Sequence, residues 1–166
     1  MIKQSTVAAM AAVTALMASV SWAAREEHTF EVSVTIPTRA FYVLPVEPDW
    51  IHREQRLNWN TATANLSSVR KTFDVRHDTS AIEARLEAPA YLSNGRPDDD
   101  IHLRVSFNGV LLSADSVPQE VVSAADAATG SRVMLEIVPV KPADGFRAGD
   151  YRGNVLLQFN ARAPGA

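Results

Sequence analysis

The sequence predicts an all-β protein built as a β-sandwich. Three observations carry this. About seven or eight short stretches alternate apolar and polar residues one by one, the period of a strand with one buried face. Turn-forming residues separate these stretches at the spacing of a sandwich. No stretch carries a long apolar stripe at the helical period.

The cleanest alternation comes first, in His28–Ile36. Phe30, Val32, Val34 and Ile36 fall on one face of an extended chain, and Thr29, Glu31, Ser33 and Thr35 on the other. Pro37 ends it, and Ala40–Leu44 is a short β-rich run closed by Pro45 and Pro48. Residues 49–56 are polar and unpatterned, Leu57–Trp59 alternates briefly, and Asn60–Ser68 reads as turn or loop. Val69, Lys71, Phe73 and Val75 form one face of the next strand, and Ile82, Ala84 and Leu86 one face of the strand after His77–Ser80. Tyr91-Leu92 precedes a turn-rich segment ending in Asp98-Asp99-Asp100. Ile101, Leu103, Val105 and Phe107 alternate clearly, and Asn108-Gly109 then joins them to Val110–Leu112. Asn-Gly between apolar runs is the signature of a two-residue hairpin, because a type I′ turn needs positive φ at both positions. Residues 119–128 read as a loop or one helical turn. Val133, Leu135 and Ile137 form another strand face, ended by Pro139 and Pro142. The last strand is expected from Tyr151 to about Asn160, with Tyr151, Gly153, Val155, Leu157 and Phe159 on one face.

Export is written into residues 1–23. Lys3 gives a positive start, a charge-free run rich in Ala, Val, Met and Leu follows, and Ser21-Trp22-Ala23 places small residues at the positions a signal peptidase reads. Loss of Lys3 with this segment moves the formal charge from −3 to −4. A mildly acidic domain lacks the basic footprint of a nucleic-acid binder. The sequence contains no cysteine, so an exported domain of this size must draw stability from packing or from a partner rather than from disulfides.

Candidate chemistry is sparse. His28, His52, His77 and His102 have no metal-like spacing and are all expected to face solvent. Asp98–Asp100 is expected to be a solvated turn; a cation held with loop carbonyls is the rarer alternative, since the spaced oxygens of a calcium loop are missing. There is no Gly-x-Ser-x-Gly elbow, no phosphate cradle and no catalytic constellation, which argues against an enzyme. No metal or other cofactor is expected. Trp59, alternating with Leu57, is expected in the core and Trp50 at the surface, with a sugar-contacting platform as the rarer alternative.

Two segments resemble one family. Ala148-Gly149-Asp150-Tyr151-Arg152-Gly153-Asn154-Val155-Leu156-Leu157-Gln158-Phe159 is similar to the Ala-Gly-x-Tyr-x-Gly-x-Val-x-Leu-x-Phe/Met ending of chaperone–usher fimbrial subunits. The alternating Val/Ile tail that ends in Pro37 resembles the start of the alpha-class (class 5) major subunits, the colonisation-factor antigen and cable-pilus type. Lys71-Thr72-Phe73 and Leu103-x-Val105-x-Phe107-x-Gly109 followed by Val110–Ser113 match the family's middle. Residues 47–56 are more charged than is usual there, and Phe30 is bulkier than the usual Val or Ile.

The resemblance implies an immunoglobulin-like β-sandwich that lacks its final strand. Residues 1–23 would be the signal peptide, 24–37 an N-terminal donor-strand extension and 38–166 the incomplete domain. The function implied is that of a structural subunit polymerising by donor-strand exchange into an adhesive surface filament. Phe30, Val32, Val34 and Ile36 would be the plugs, and Tyr151, Val155, Leu157 and Phe159 one wall of the acceptor groove. The implied partners are further copies of the chain, head to tail, a periplasmic chaperone, an outer-membrane usher and a tip adhesin, on a route through the periplasm to a fimbrium on the bacterial cell surface. The competing expectation is a self-contained secreted binding module that uses residues 28–36 as its own edge strand.

Overall fold

A computed structural model describes residues 41–162. The export segment, the 28–36 ribbon with Phe30, Val32, Val34 and Ile36, and His28 lie outside the described residues. Alternation becomes strand almost wherever it is regular. The larger sheet contains β1 (Phe41–Pro45), β4 (Val69–His77), β6 (Tyr91–Leu92), β7 (Ile101–Phe107), β8 (Val110–Leu111) and β10 (Ser131–Pro139). Its antiparallel order is β1-β4-β10-β7-β6, with β8 folded back on β7. The second sheet has β5 (Ile82–Leu86) at its centre, between β9 (Gln119–Val122) and β11 (Leu157–Ala161). A separate ribbon pairs β2 (Trp59–Asn60) with β3 (Asn65–Leu66).

The inner faces of the two sheets make one core. Phe73, Val75, Val105, Phe107, Val133 and Leu135 come from the larger sheet, and Ile82, Ala84, Leu86, Val121 and Val122 from the smaller. Edge-on aromatic contacts run through it: Trp50 meets Phe73 at 5.8 Å, Phe73 meets Phe107 at 5.5 Å, and Phe107 reaches across to Phe159 at 4.8 Å. Such geometries let the positive ring edge face the negative ring face. Lys71 lies 5.3 Å over the Trp50 ring and shields it further.

Turn chemistry sets the connections. Asn108 (φ 52°) and Gly109 (φ 79°) give the β7–β8 hairpin its left-handed pair. The Asn108 carboxamide also donates to the Val121 carbonyl at 2.7 Å, tying the hairpin to β9. Helix α1 (Ala124–Thr129) follows β9, with the Ser123 hydroxyl accepting from the Asp126 amide as its N-cap and Gly130 (φ 80°) ending it. The expected loop or single turn there is thus a strand end and a short helix.

Several single-residue expectations are corrected. His77 is not solvent-facing: it is 7 % exposed, and its Nδ1 accepts from the amides of Ser80 (2.8 Å) and Thr79 (3.3 Å). The ring replaces the side-chain oxygen that normally closes an Asx-type turn, which a sequence rule for histidine does not anticipate. Trp50 is half-buried against Phe73 rather than exposed. Trp59 is 48 % exposed rather than in the core, because the β2–β3 ribbon stands apart from both sheets. The last strand begins at Leu157, not Tyr151.

Removing the imidazole should leave two amides short of an acceptor, so His77→Ala is expected to cost about 1–3 kcal/mol. His77→Asn, which restores an acceptor oxygen, should recover part of that loss; urea denaturation of both variants measures it. A second outcome concerns pH. Arg132 pairs directly with Asp74 across β4 and β10 and grips its carboxylate with two bonds, at 2.8 and 3.1 Å. That hydrogen bonding holds the Asp74 carboxyl below the ordinary aspartate value. A depressed folded-state value stabilises above the unfolded one and is lost as pH falls through the folded one. Asp74→Asn should therefore lower stability slightly at pH 7 and leave it unchanged near pH 2, with the difference shrinking in high salt because the pair is solvent-exposed.

Candidate strand-acceptor site

The approach to the last strand is built around Tyr151 and Gly153. The Tyr151 hydroxyl donates to the Arg147 carbonyl at 3.2 Å. This is the arrangement of a tyrosine corner, in which a phenol at the start of a late strand bonds the backbone a few residues upstream. Arg152 and Ser93 then exchange two backbone bonds of 2.9 Å, which attach the chain to the β6 end of the larger sheet. At Gly153 the chain presses so closely on β6 that a Cβ would overlap the Tyr91 carbonyl oxygen. Only glycine permits this approach. From there the chain leaves the larger sheet, and the Glu87 amide bonds the Leu156 carbonyl at 3.0 Å, where the ladder to β5 begins. The Tyr-x-Gly of the sequence motif is a device for moving one strand from one sheet to the other.

Once across, β11 pairs along one edge with β5, Leu157 opposite Leu86 and Phe159 opposite Ala84. Among the described residues no strand lies along its other edge. The inner face reflects this. Val155, Leu157 and Phe159 pack on the core but stay only half-buried, whereas Ile82, Ala84 and Leu86 on the neighbouring β5 are 0, 0 and 4 % exposed. In the larger sheet, Val43 of the edge strand β1 is likewise half-buried against the core, and Phe41 and Leu44 beside it are exposed. Val155, Leu157 and Phe159 thus lie half-covered along a strand edge that has no partner strand among the described residues.

The polar face of the smaller sheet holds β11 in register. Arg85 donates to Gln158 across the β5–β11 pair at 2.7 Å. Arg162, just past the strand, ion-pairs with Glu83 on β5 and with Glu120 on β9, the latter at 2.6 Å. Its guanidinium is held above the ordinary value, chiefly by the Glu83 hydrogen bond.

Of the residues singled out in the sequence, the fold brings Val155, Leu157 and Phe159 to this margin. Tyr151 sits before it, half-buried, with its hydroxyl engaged in the corner. The Asp98–Asp100 turn is more than a solvated loop: the Asp99 carboxylate is buried and ion-paired with Arg147 at 3.1 Å, and it accepts from the Asn94 carboxamide at 3.2 Å. Among the described residues no group of three metal-ligating side chains forms. The sequence reading missed Phe107 as the residue beneath Phe159. The alternation of β7 placed it on an inner face, but only the packing of the two sheets shows what it faces.

These features define the class: an immunoglobulin-like β-sandwich of the pilin type. The family model described as CS1 type fimbrial major subunit matches residues 26–160, and the chain belongs to that family. Among solved structures the chain is similar to the CooA pilin subunit from enterotoxigenic Escherichia coli, with 20 % identity, a TM-score of 0.57, and coverage of 72 % of this chain and 86 % of that one. That likeness concerns the fold. A comparison with curated proteins finds no match. The chain is a structural pilus subunit, and family membership implies self-assembly into a cell-surface pilus. The self-contained binding module is the less favoured reading.

Substituting Gly153→Ala should force the chain off β6, with an expected loss of more than about 2 kcal/mol, because the clash is with backbone atoms of Tyr91 and Leu92 that cannot swing aside. Tyr151→Phe removes one hydrogen bond and should cost only about 0.5–1.5 kcal/mol. Parallel denaturant titrations of the two variants give this ranking.

Proposed function

We propose that the chain polymerises by donor-strand exchange, with the open margin beside β11 as the acceptor and residues 24–37 as the donor. The single observation that carries the proposal is the half-covered row Val155, Leu157 and Phe159 along a strand edge without a partner among the described residues. Tyr151 stands at the head of that row. An extended segment laid there gains main-chain hydrogen bonds from the free edge and fills pockets with alternate side chains, the logic of β-strand addition. Phe30, Val32, Val34 and Ile36 have the same period of two as the row they would meet. Burial of each large apolar side chain contributes about 1.5–3 kcal/mol before ordering costs.

The contact joins the tail of one copy to the body of another. Such a heterologous contact does not close on itself and therefore propagates a filament. Before assembly the same margin would expose core apolar surface, so a periplasmic chaperone is needed to cover it and an outer-membrane usher to exchange the cover for the next subunit's tail. Residues 1–23 serve as the export signal for this route, and the finished filament serves in adhesion, with a tip adhesin as a further partner. No step requires a catalytic residue.

The double substitution Val32→Asp plus Val34→Asp tests the proposal. The subunit should still fold and still be recovered with its chaperone, because the acceptor domain is untouched. Filaments, counted by electron microscopy of cells carrying the assembly genes, should disappear. Normal filaments from the double variant would overturn donor-strand exchange through this ribbon.

A further inference from the structure

A second feature lies on the β2–β3 ribbon, which pairs with neither sheet. Residues 58–67 read Asn-Trp-Asn-Thr-Ala-Thr-Ala-Asn-Leu-Ser and contain no ionisable side chain, in a chain that is 21 % charged. They fold around a recess of about 490 Å3, walled mainly by Trp59, Asn60, Thr61, Thr63 and Asn65. The recess is shallow and open, and residues 58–65 along it are all exposed. The Trp59 ring is 48 % exposed and braced edge-on by Phe146, at 5.8 Å, from a loop distant in sequence.

The ribbon's backbone is fixed from within. The Asn58 amide donates to the Ser67 hydroxyl at 2.8 Å, and the Ser67 amide to the Asn58 carbonyl at 2.9 Å. The Asn60 side-chain oxygen accepts from the amides of Ala62 (3.0 Å) and Thr63 (3.1 Å), closing an Asx turn. With that oxygen occupied, the Asn60 amide nitrogen keeps its two donors for a ligand. The side chains of Asn58 and Asn65 make no hydrogen bond among the described residues and each offers a donor and an acceptor.

We propose that this recess binds a neutral carbohydrate. A pyranose has an apolar C–H face and a rim of hydroxyl groups that both donate and accept. Trp59 matches the first requirement, since an indole offers a broad, rigid apolar surface at low entropic cost. Carboxamides and threonine hydroxyls match the second. Lys and Arg are absent from the lining, which disfavours sialylated or sulfated sugars and phosphate-bearing ligands. An apolar ligand is disfavoured because Trp59 and Leu66 are the only large apolar side chains there. Binding at one recess would be weak. Repetition along a filament turns weak sites into avidity through a high effective concentration; this part of the inference rests on the filament reading above.

The test uses purified filaments on a glycan array that carries galactose-, N-acetylglucosamine-, fucose- and mannose-terminated neutral glycans alongside sialylated and sulfated ones. Wild-type filaments should bind a subset of the neutral glycans in preference to the acidic ones. Trp59→Ala and Asn65→Ala filaments should lose at least tenfold in signal, while Trp50→Phe, outside the recess, should bind as wild type. Both recess residues are exposed, so assembly, checked by electron microscopy of the same preparations, should be unchanged. Absence of binding to every neutral glycan, a preference for acidic glycans, or equal signal from the Trp59→Ala filaments would each overturn the proposal. A failure to find filaments at all would count against the assembly reading instead.

Discussion

The contact of Phe107 with Phe159, 4.8 Å between ring centres, joins a strand in the middle of one sheet to the last strand of the other. Everything distinctive about the domain follows from where that second strand sits. β11 is tied into the core by this contact and into the sheet by β5, yet its far edge has no strand among the described residues. Apolar side chains that face a core but are only partly covered cost stability in proportion to the area left in water. An isolated domain gains nothing from such a margin. On the donor-strand proposal, a neighbour's extended segment would supply that cover and turn the same margin into an assembly contact.

The corner that precedes β11 makes this placement possible. The chain first adds to the larger sheet through Arg152 and Ser93 and then crosses to the smaller one. Tyr151 fixes the entry by bonding four residues back, and Gly153 allows the backbone to touch Tyr91 before it turns away. The neighbouring loop is held by the buried Asp99 carboxylate, which gathers Arg147 and Asn94. A buried carboxylate is tolerable only with such partners. The aspartate run thus anchors the loop that carries the tyrosine's acceptor. The β2–β3 ribbon pairs with neither sheet, and Phe146 from the same loop region braces its tryptophan.

Strand identity was legible wherever alternation was regular, because the period of two is a direct record of one buried face. Ile82, Ala84 and Leu86, then Ile101, Val105 and Phe107, and Val133 with Leu135 all lie inward as their spacing requires. The Asn108-Gly109 hairpin was legible for an equally local reason, the cost of positive φ to other residues. The row Val155, Leu157 and Phe159 could also be read as one face. Its exposure could not, since burial depends on which strands the chain places alongside. His77, Trp50 and Trp59 defeated sequence reasoning in the same way. Each has a side chain that suits core or surface, and contacts from distant residues decide between them.

The sequence by itself determined the all-β class, the strands, the hairpin at Asn108-Gly109 and the motif that marks the family, because these rest on spacing and on local backbone chemistry. Only the tertiary structure decided that the final strand starts at Leu157 after a change of sheet, that its inner face is half-covered, and that Trp59 stands in an uncharged recess. Those outcomes depend on contacts between segments far apart in the chain: Gly153 with Tyr91, Phe107 with Phe159, and Trp59 with Phe146. No local pattern encodes such pairs, because each residue is compatible with many partners and the packing of the whole sandwich selects one.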